Sequence, residues 1–539
     1  MSRETAPVPA GTPTWLRTAP RALEAPKESR RPAQFFHSFL ASGWAVVTLA
    51  AMCCAQAAAA PAARLYSVDS YDVRIAPDLE KQRLAGEVAI RYRSRAGSLA
   101  TLELDAGLGV EIAEVLDGKT QLQFERRSGL VLVALARPAL QGVPRRLTIR
   151  YRAGPGKGLK FFPDQVYSEF FTSDWMVCND RPDGRATLRL RIAAPKGWRV
   201  AASGAPAGNS EWRIGTPVAP FLYGFAAGRF QEAGDAHLRL LGSADVMLFA
   251  PAILDATRAA LRFFAARTGR DYAAPLYTQV FTHASPMQEN ANLTLLPEAY
   301  ASGLRAQPND LWLLAHELAH QWYAVGISCR DWSDFWLNEG LATFMADAFL
   351  ESRFGRERYE REIERSRGIY ERLKEEGKDR ALSFRAWNTP QEAGGQIPYH
   401  KGAYVLDLLR REMGDEAFWR GLEIYTRNNW NRPVTSRELQ AAMEAAAGKT
   451  LDGFFEEWVY EPVDGGGRPS MQSRRGAVTA KATPLAALAR NLSLARRTPV
   501  VDSTGAHGVF DLKLEWTPDD TSSAAPESTE IGPSLFTAL

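Results

Sequence analysis

The sequence predicts a multidomain protein of mixed α and β structure: a β-rich half, then a mostly α half, then a small α/β appendage at the C-terminal end. Three observations carry that expectation. A chain of 539 residues with 45% hydrophobic content is too long for one core, because single cores stop growing at about 250–300 residues. Between residues 64 and 235 apolar residues alternate with period two, whereas from about residue 252 they recur at helical spacing. A glycine run, Gly465-Gly466-Gly467, then sets off the tail. The predicted division is a leader over 1–60, a β-rich domain over 64–235, a mostly α domain over 236–463, a linker over 464–468 and a C-terminal domain over 469–539.

The leader carries Lys27, Arg30 and Arg31, then an apolar run over 39–55, then Ala55-Gln56-Ala57, which fits a small-x-small cleavage site. This reads as a signal peptide, so a periplasmic or secreted location is expected, with an uncleaved membrane anchor as the alternative. Cys53 and Cys54 lie inside the run, and Met52 before them fits a lipoprotein signal poorly. Removal of the leader leaves Cys178 and Cys329, which sequence alone leaves open as one disulfide or two buried thiols. In the β-rich part, Glu87-Val88-Ala89-Ile90-Arg91-Tyr92 and Leu188-Arg189-Leu190-Arg191-Ile192 are strand patterns between Gly and Pro punctuation. Helices are expected over 252–268, 308–325, 336–352, 401–413, 416–428 and 436–459. The formal charge is +3, but the first 63 residues hold six basic and three acidic residues, so the remainder balances at 59 of each sign. A neutral chain has no broad field to gather nucleic acid, and a membrane is expected as partner only if the leader stays uncleaved.

The chemistry is concentrated at His316-Glu317-Leu318-Ala319-His320. Residues four apart share a helix face, so His316 and His320 can present two imidazoles to one ion while Glu317 sits beside an attacking water. Asn309 or Asp310 is placed to cap this helix, and Leu311, Leu314, Ala315, Leu318 and Trp322 form its apolar face. Catalytic zinc takes three protein ligands and keeps one position open. The third is assigned to Glu339, at the start of a second helix within Asp334-Phe335-Trp336-Leu337-Asn338-Glu339-Gly340. Zinc, one ion, is the expected cofactor, and Glu317 is the expected general base.

His-Glu-x-x-His followed by Glu339 within Trp-Leu-Asn-Glu-Gly resembles the aminopeptidase N family of gluzincin zinc metallopeptidases, over about residues 64–463. Cys178-Asn179-Asp180-Arg181-Pro182 belongs to the same likeness, with Val177 where the family usually has Pro. The resemblance implies a β saddle domain followed by a thermolysin-like catalytic domain. It implies a catalytic role for Tyr399, whose setting Pro398-Tyr399-His400-Lys401-Gly402 is similar to the family's Tyr-Glu-Lys-Gly, with His400 replacing Glu. It also implies that Glu289 binds the free amine of a peptide substrate, with Gln288 and Asn290 as further substrate-binding residues, since Pro286-Met287-Gln288-Glu289-Asn290 resembles Gly-Ala-Met-Glu-Asn. Pro286, Met287 and Gln288 depart from that pattern around the first specificity pocket. His283, nearby, has no partner at ligand spacing and reads as structural. The tail, with Thr498–Gly505, Phe510–Trp516 and the closing Gly532–Leu539, resembles an uncharacterised soil-bacterial domain of unknown function, possessing too little length for the further domains common in the peptidase family.

The expected activity is therefore removal of N-terminal residues from peptides that have a free N-terminus. Two other readings compete with it: a zinc endopeptidase or other zinc hydrolase, favoured by the altered residues before Glu289, and a non-catalytic binding protein with a vestigial peptidase fold.

Overall fold

β-Structure starts where the period-two pattern starts. The strand Tyr66–Asp78 returns antiparallel as Arg83–Ser94, with Val73 opposite Val88. A bulge between Val68 and Ser70 resets the alternation, so that Tyr71 and not Ser70 joins Tyr66, Val68, Val73 and Ile75 in the interior. This hairpin is the middle of an eight-stranded sheet, flanked by Pro144–Ala153 on one side and, in parallel, by Ala186–Ile192 on the other. A three-stranded and a four-stranded sheet complete the β part, and Tyr71, Leu104, Ile149, Trp175 and Tyr223 share its core.

That core also takes in Ala324, Cys329, Trp332 and Phe335. These come from the segment joining the two helices expected to bind metal, so the β part packs directly beneath the site. Cys178 and Cys329 are both buried and both free, which resolves the choice the sequence left open.

The mostly α part opens with a five-stranded sheet that the period change did not reveal: Gln231–Gly234, Leu238–Gly242, Tyr277–Thr282, Leu293–Pro297 and Gln288–Asn290, with the last on an edge. Its first two strands form a hairpin. A division at residue 235 cuts that hairpin, so the change of architecture falls a few residues earlier than the pattern placed it. The helices follow the predicted spacing at Ala250–Thr268, Trp336–Phe354, Gly402–Met413 and Asp415–Asn429. Three differences stand out. The predicted 436–459 helix breaks at Gly448 into Ser436–Ala447 and Asp452–Trp458, because Gly448 takes a left-handed φ of 65°. The helix Arg356–Glu375 was missed, its surface so charged that few apolar positions mark a face. The predicted 308–325 helix is Trp312–Ala319 alone, with Leu311 at its N-cap and no side-chain cap from Asn309 or Asp310.

The computed structural model describes residues 64–460, except 209, 285, 286 and 388, together with parts of 470–515. The predicted leader, the glycine linker, Pro286 and most of the tail motifs lie outside the described residues. Within the tail, Ser470–Arg474, Ala477–Thr483 and Phe510–Glu515 form an antiparallel sheet, and Val478, Leu488 and Leu492 give it a small core. Among the described residues no helix is long and apolar enough to cross a membrane.

Candidate metal centre

The site is built by two helices whose facing residues match in steps of four. On the helix Trp312–Ala319 and its continuation, Trp312, His316 and His320 lie in one row; on the helix Trp336–Phe354, Glu339, Thr343 and Asp347 lie in another. The rows meet in antiparallel order. Trp312 Nε1 donates to Asp347 Oδ1 at 2.8 Å, His316 Nδ1 lies 3.4 Å from Thr343 Oγ1, and His320 Nε2 lies 3.4 Å from Glu339 Oε2. The register of this ladder fixes the metal-facing end, because every member of the two rows but the half-buried Trp312 is buried.

At that end three donor atoms converge. His316 Nε2 and His320 Nε2 are 3.2 Å apart, and each is 3.4 Å from Glu339 Oε2. Tetrahedral zinc with bonds of about 2.0–2.1 Å holds its donor atoms about 3.3–3.4 Å apart, so the triangle fits that ion and leaves a fourth direction open. The imidazoles are oriented from behind. His320 Nδ1 donates to the Tyr323 carbonyl at 3.1 Å, and the Trp312 ring stacks on His316 at 4.8 Å with 19° between planes. Nitrogen lone pairs at both Nε2 atoms are thereby turned to the common point.

The charge balance points the same way. Glu289, Glu317 and Glu339 are all buried around His320. Burial, helped by Glu289 and Glu339 against His320, pushes the Glu317 carboxyl well above the usual range. Burial likewise raises Glu289 to about 7. Glu339 is the exception, held down at about 2 by the imidazoles despite its burial. Three buried carboxyls gathered around two imidazoles form a cluster that a divalent cation would neutralise.

Every sequence-predicted residue can be placed. Donor atoms of Glu289, Glu317 and His320 lie within 4.8 Å of one another, so Glu289 is brought beside Glu317 and His320. Glu317 Oε2 and Glu289 Oε1 are buried without a hydrogen-bond partner, and both belong to this group. Glu289 Oε2 accepts from Gln288 Nε2 at 2.8 Å. Asn290 behaves differently: its side chain lies against Gly224 of the β part, where a Cβ would come within 2.4 Å of Asn290 Oδ1. Its carbonyl accepts from Gln321 at 3.0 Å, tying the edge strand to the end of the motif helix. Tyr399 sits in a single π-helical turn, Ile397–Lys401, with its ring 5.9 Å from that of His316. Burial, with three carboxylates nearby, pushes the phenol well above its usual value, so it stays a donor. His283 is confirmed away from the centre, its two ring nitrogens held by Asp164 and Glu298 at 2.9 and 2.8 Å.

Sequence reading missed Trp312, Thr343 and Asp347, although Trp312 and Thr343 lie four residues, and Asp347 eight, from an assigned position on the same helix row. It also missed how Tyr399 is anchored. Lys401 Nζ, buried, donates to Asp379 Oδ1 at 2.9 Å and to the Arg380 carbonyl at 2.6 Å, and these partners lie too far along the chain for spacing to reveal them.

Residues 252–458 match the model of the Peptidase family M1 domain, and residues 440–539 match the model described as Protein of unknown function (DUF3738). The chain is similar to aminopeptidase N of Lactococcus lactis subsp. lactis, 26% identical over 351 residues, covering 57% of this chain and 40% of that protein. It spans about half the length, or less, of the curated relatives it matches. Among solved structures it is similar to the M1 zinc metallopeptidase from Deinococcus radiodurans, with a TM-score of 0.60 and 23% identity over 74% of this chain and 96% of that one. A mutant of that protein has been solved bound to a Tyr-Ser-Ala substrate. Native yeast LTA4 hydrolase is similar with a TM-score of 0.65 and 18% identity, covering 76% of this chain and 69% of the other. These likenesses show the fold: a β-rich part followed by a mostly helical part.

Proposed function

We propose, from the premise that residues 252–458 form a Peptidase family M1 domain, that the protein is a zinc-dependent aminopeptidase that removes N-terminal residues from peptides. The observation that carries the exopeptidase part is the place of Glu289, whose carboxylate shares a 4.8 Å cluster with Glu317 and His320. A carboxylate so close to the reacting bond can bind an ammonium only if that ammonium is the substrate's own N-terminus.

His316, His320 and Glu339 would hold one zinc ion, which supplies a Lewis acid for the scissile carbonyl and brings the pKa of a water to about 7. The remaining roles belong to the chain. Glu289 accepts hydrogen bonds from the substrate ammonium and fixes the first peptide bond in the site. Glu317, with one oxygen unpartnered in the resting protein, takes the proton of the attacking water and passes it to the departing amine. Tyr399 donates to the carbonyl oxygen as it becomes an oxyanion, in a buried site where such a bond is strong. Among the described residues the edge strand Gln288–Asn290 pairs with one strand only, so that, apart from the Asn290 carbonyl held by Gln321, its other side can pair with an extended peptide backbone.

The Tyr-Ser-Ala complex of the Deinococcus protein agrees with a peptide substrate. The leader of this chain supports a periplasmic or secreted location, and the sequence breaks, with the first boundary moved before the hairpin over 231–242, support separate domains over about 64–230, 231–463 and 469–539.

The test compares a peptide with its N-acetylated twin, with and without chelator. The free peptide should lose its first residue only when zinc is present, and the blocked one should survive. Glu289→Ala should cost on the order of 100-fold in kcat/KM, as expected for loss of a buried charged contact. Equal cleavage of both peptides, with Glu289→Ala harmless, would mean an endopeptidase or another zinc hydrolase; failure to bind zinc at all would revive the non-catalytic reading.

A further inference from the structure

Far from the metal centre, the rim of the eight-stranded sheet collects features that have no use in a solvated surface. Only six large hydrophobic side chains are strongly exposed among the described residues, and three of them, Leu65 (59%), Leu140 (59%) and Val143 (46%), lie where the end of the strand Leu130–Leu140 of the three-stranded sheet meets the edge of the eight-stranded one at Ser94. Hydrogen bonds tie all three to one place. The Arg95 N–H donates to the Leu65 carbonyl at 2.8 Å, Gly142 N–H donates to the Ser94 carbonyl at 2.9 Å, and Val143 N–H closes the turn onto Leu140 at 3.2 Å. Single exposed apolar residues need no explanation, but three converging on Ser94 and Arg95 form a small apolar crest.

Arginines surround the crest. Arg93 Nη1 donates to the Gly142 carbonyl at 2.8 Å, and Arg95 is exposed beside it. One step down the sheet, Arg91 stands directly across the ladder from Arg146. Like charges in that position repel and destabilise a sheet. Arg91 is partly offset by Asp69 at 3.5 Å, which it shares with Arg93, whereas neither Arg95 nor Arg146 pairs with a carboxylate among the described residues. Arg91, Pro144, Arg145 and Arg146 line an open depression with Ser70 and Ala89; its one acid, Asp72, pairs with Arg191 at 3.1 Å, and Arg145 pairs with Asp117 at 2.7 Å. The depression adjoins the crest, because Pro144 follows Val143.

We propose that this rim docks onto an anionic phospholipid surface, with a lipid phosphate between Arg91 and Arg146 and with Leu65, Leu140 and Val143 entering the acyl boundary. Cationic side chains at headgroup level around aliphatic ones that insert is the chemistry of peripheral membrane binding. The charge balance of the chain as a whole is no objection, since lipid headgroups respond to charge within a Debye length, about 8–10 Å. A protein partner would need a larger apolar area than three side chains offer.

The test is flotation of the full chain with vesicles of phosphatidylcholine alone or of equal parts phosphatidylcholine and phosphatidylglycerol. Capture should rise with phosphatidylglycerol and fall with added salt. Arg95→Glu with Arg146→Glu, and separately Leu140→Ser with Val143→Ser, should each cut capture by phosphatidylglycerol vesicles at least about ten-fold, while hydrolysis of a soluble aminoacyl substrate stays unchanged. The apolar run over 39–55 is common to all these proteins and cannot produce a difference among them. Equal capture by the two vesicle types, or wild-type capture by both variants, would overturn the proposal. So would binding of inorganic phosphate at the depression without capture by vesicles, which would make it a site for a soluble anion.

Discussion

At the scale of the residue, Glu317 separates chemistry from metal binding most cleanly. It lies between two ligands in sequence, yet the ligand triangle is closed by His316, His320 and Glu339 without it. Replacing Glu317 by Gln keeps the shape and a hydrogen-bonding oxygen but removes the base. Turnover should fall by about 100- to 10,000-fold, while zinc content measured by atomic absorption stays at the wild-type level. Loss of zinc in parallel with activity would show Glu317 to be a ligand. This much was legible from four-residue spacing, because a helix puts such residues on one face whatever surrounds it. Glu289 and Tyr399 were legible only through resemblance. Nothing local to an edge strand or to a π-helical turn announces a carboxylate or a phenol that meets its partners across the fold, and Asn290, assigned with Glu289, turns its side chain to Gly224 instead.

At the scale of the element, the site depends on two helices held in one register. Two glycines set their distance from the segment bearing Tyr399: a Cβ on Gly402 would lie 2.8 Å from the Gly340 Cα, closer than packed atoms allow. The ladder from Trp312–Asp347 through His316–Thr343 to His320–Glu339 sets the angle at which the imidazoles arrive. Trp312→Phe retains an aromatic ring over His316 but removes the indole N–H, leaving the Asp347 carboxyl buried without that donor. Zinc affinity, measured by competition with a fluorescent chelator, should weaken by about ten-fold or more, as for other groups that orient metal ligands from behind. Unchanged affinity would mean that the remaining steps hold His316 alone. The same helices show where pattern reading stops. The motif helix was expected over 308–325, but only Trp312–Ala319 is α-helical, since its ends are decided by packing beneath the β part and not by the polar residues at 309 and 310. Helix Arg356–Glu375 escaped because intrahelical ion pairs such as Arg358–Glu362, not a broad apolar face, mark its surface.

At the scale of the whole molecule, two pH- and ligand-dependent terms act on stability from separate places. At the metal centre, a cation that binds the folded chain alone stabilises it by mass action, by about 4 kcal/mol at a thousand-fold excess over Kd. Dialysis against chelator should therefore lower Tm by several degrees, and zinc should restore it; an identical melting curve with and without zinc would argue that the site is not loaded. The second term is built into the β part. Asp180, within the Cys-Asn-Asp-Arg-Pro stretch, accepts from the Ser173 N–H at 2.9 Å and donates its own N–H to Asp105 Oδ2 at 2.8 Å. Burial, with Asp105 adding to it, raises its carboxyl from 3.8 to about 7. The folded chain then keeps this proton up to about pH 7, whereas the unfolded chain releases it near pH 4. Between those values the folded state binds more protons, so this group's contribution to stability is greatest in acid and is lost as pH rises, by up to about 1.4 kcal/mol per unit. That sign is opposite to the usual ion-paired carboxylate. Asp180→Asn removes the titration, and its amide oxygen can still accept from Ser173. In urea unfolding at about pH 5 and about pH 8, the wild type should lose more stability between the two than Asp180→Asn does. If both proteins show the same difference, Asp180 is ionised in the fold and another buried carboxyl, such as Asp105, carries the pH response instead.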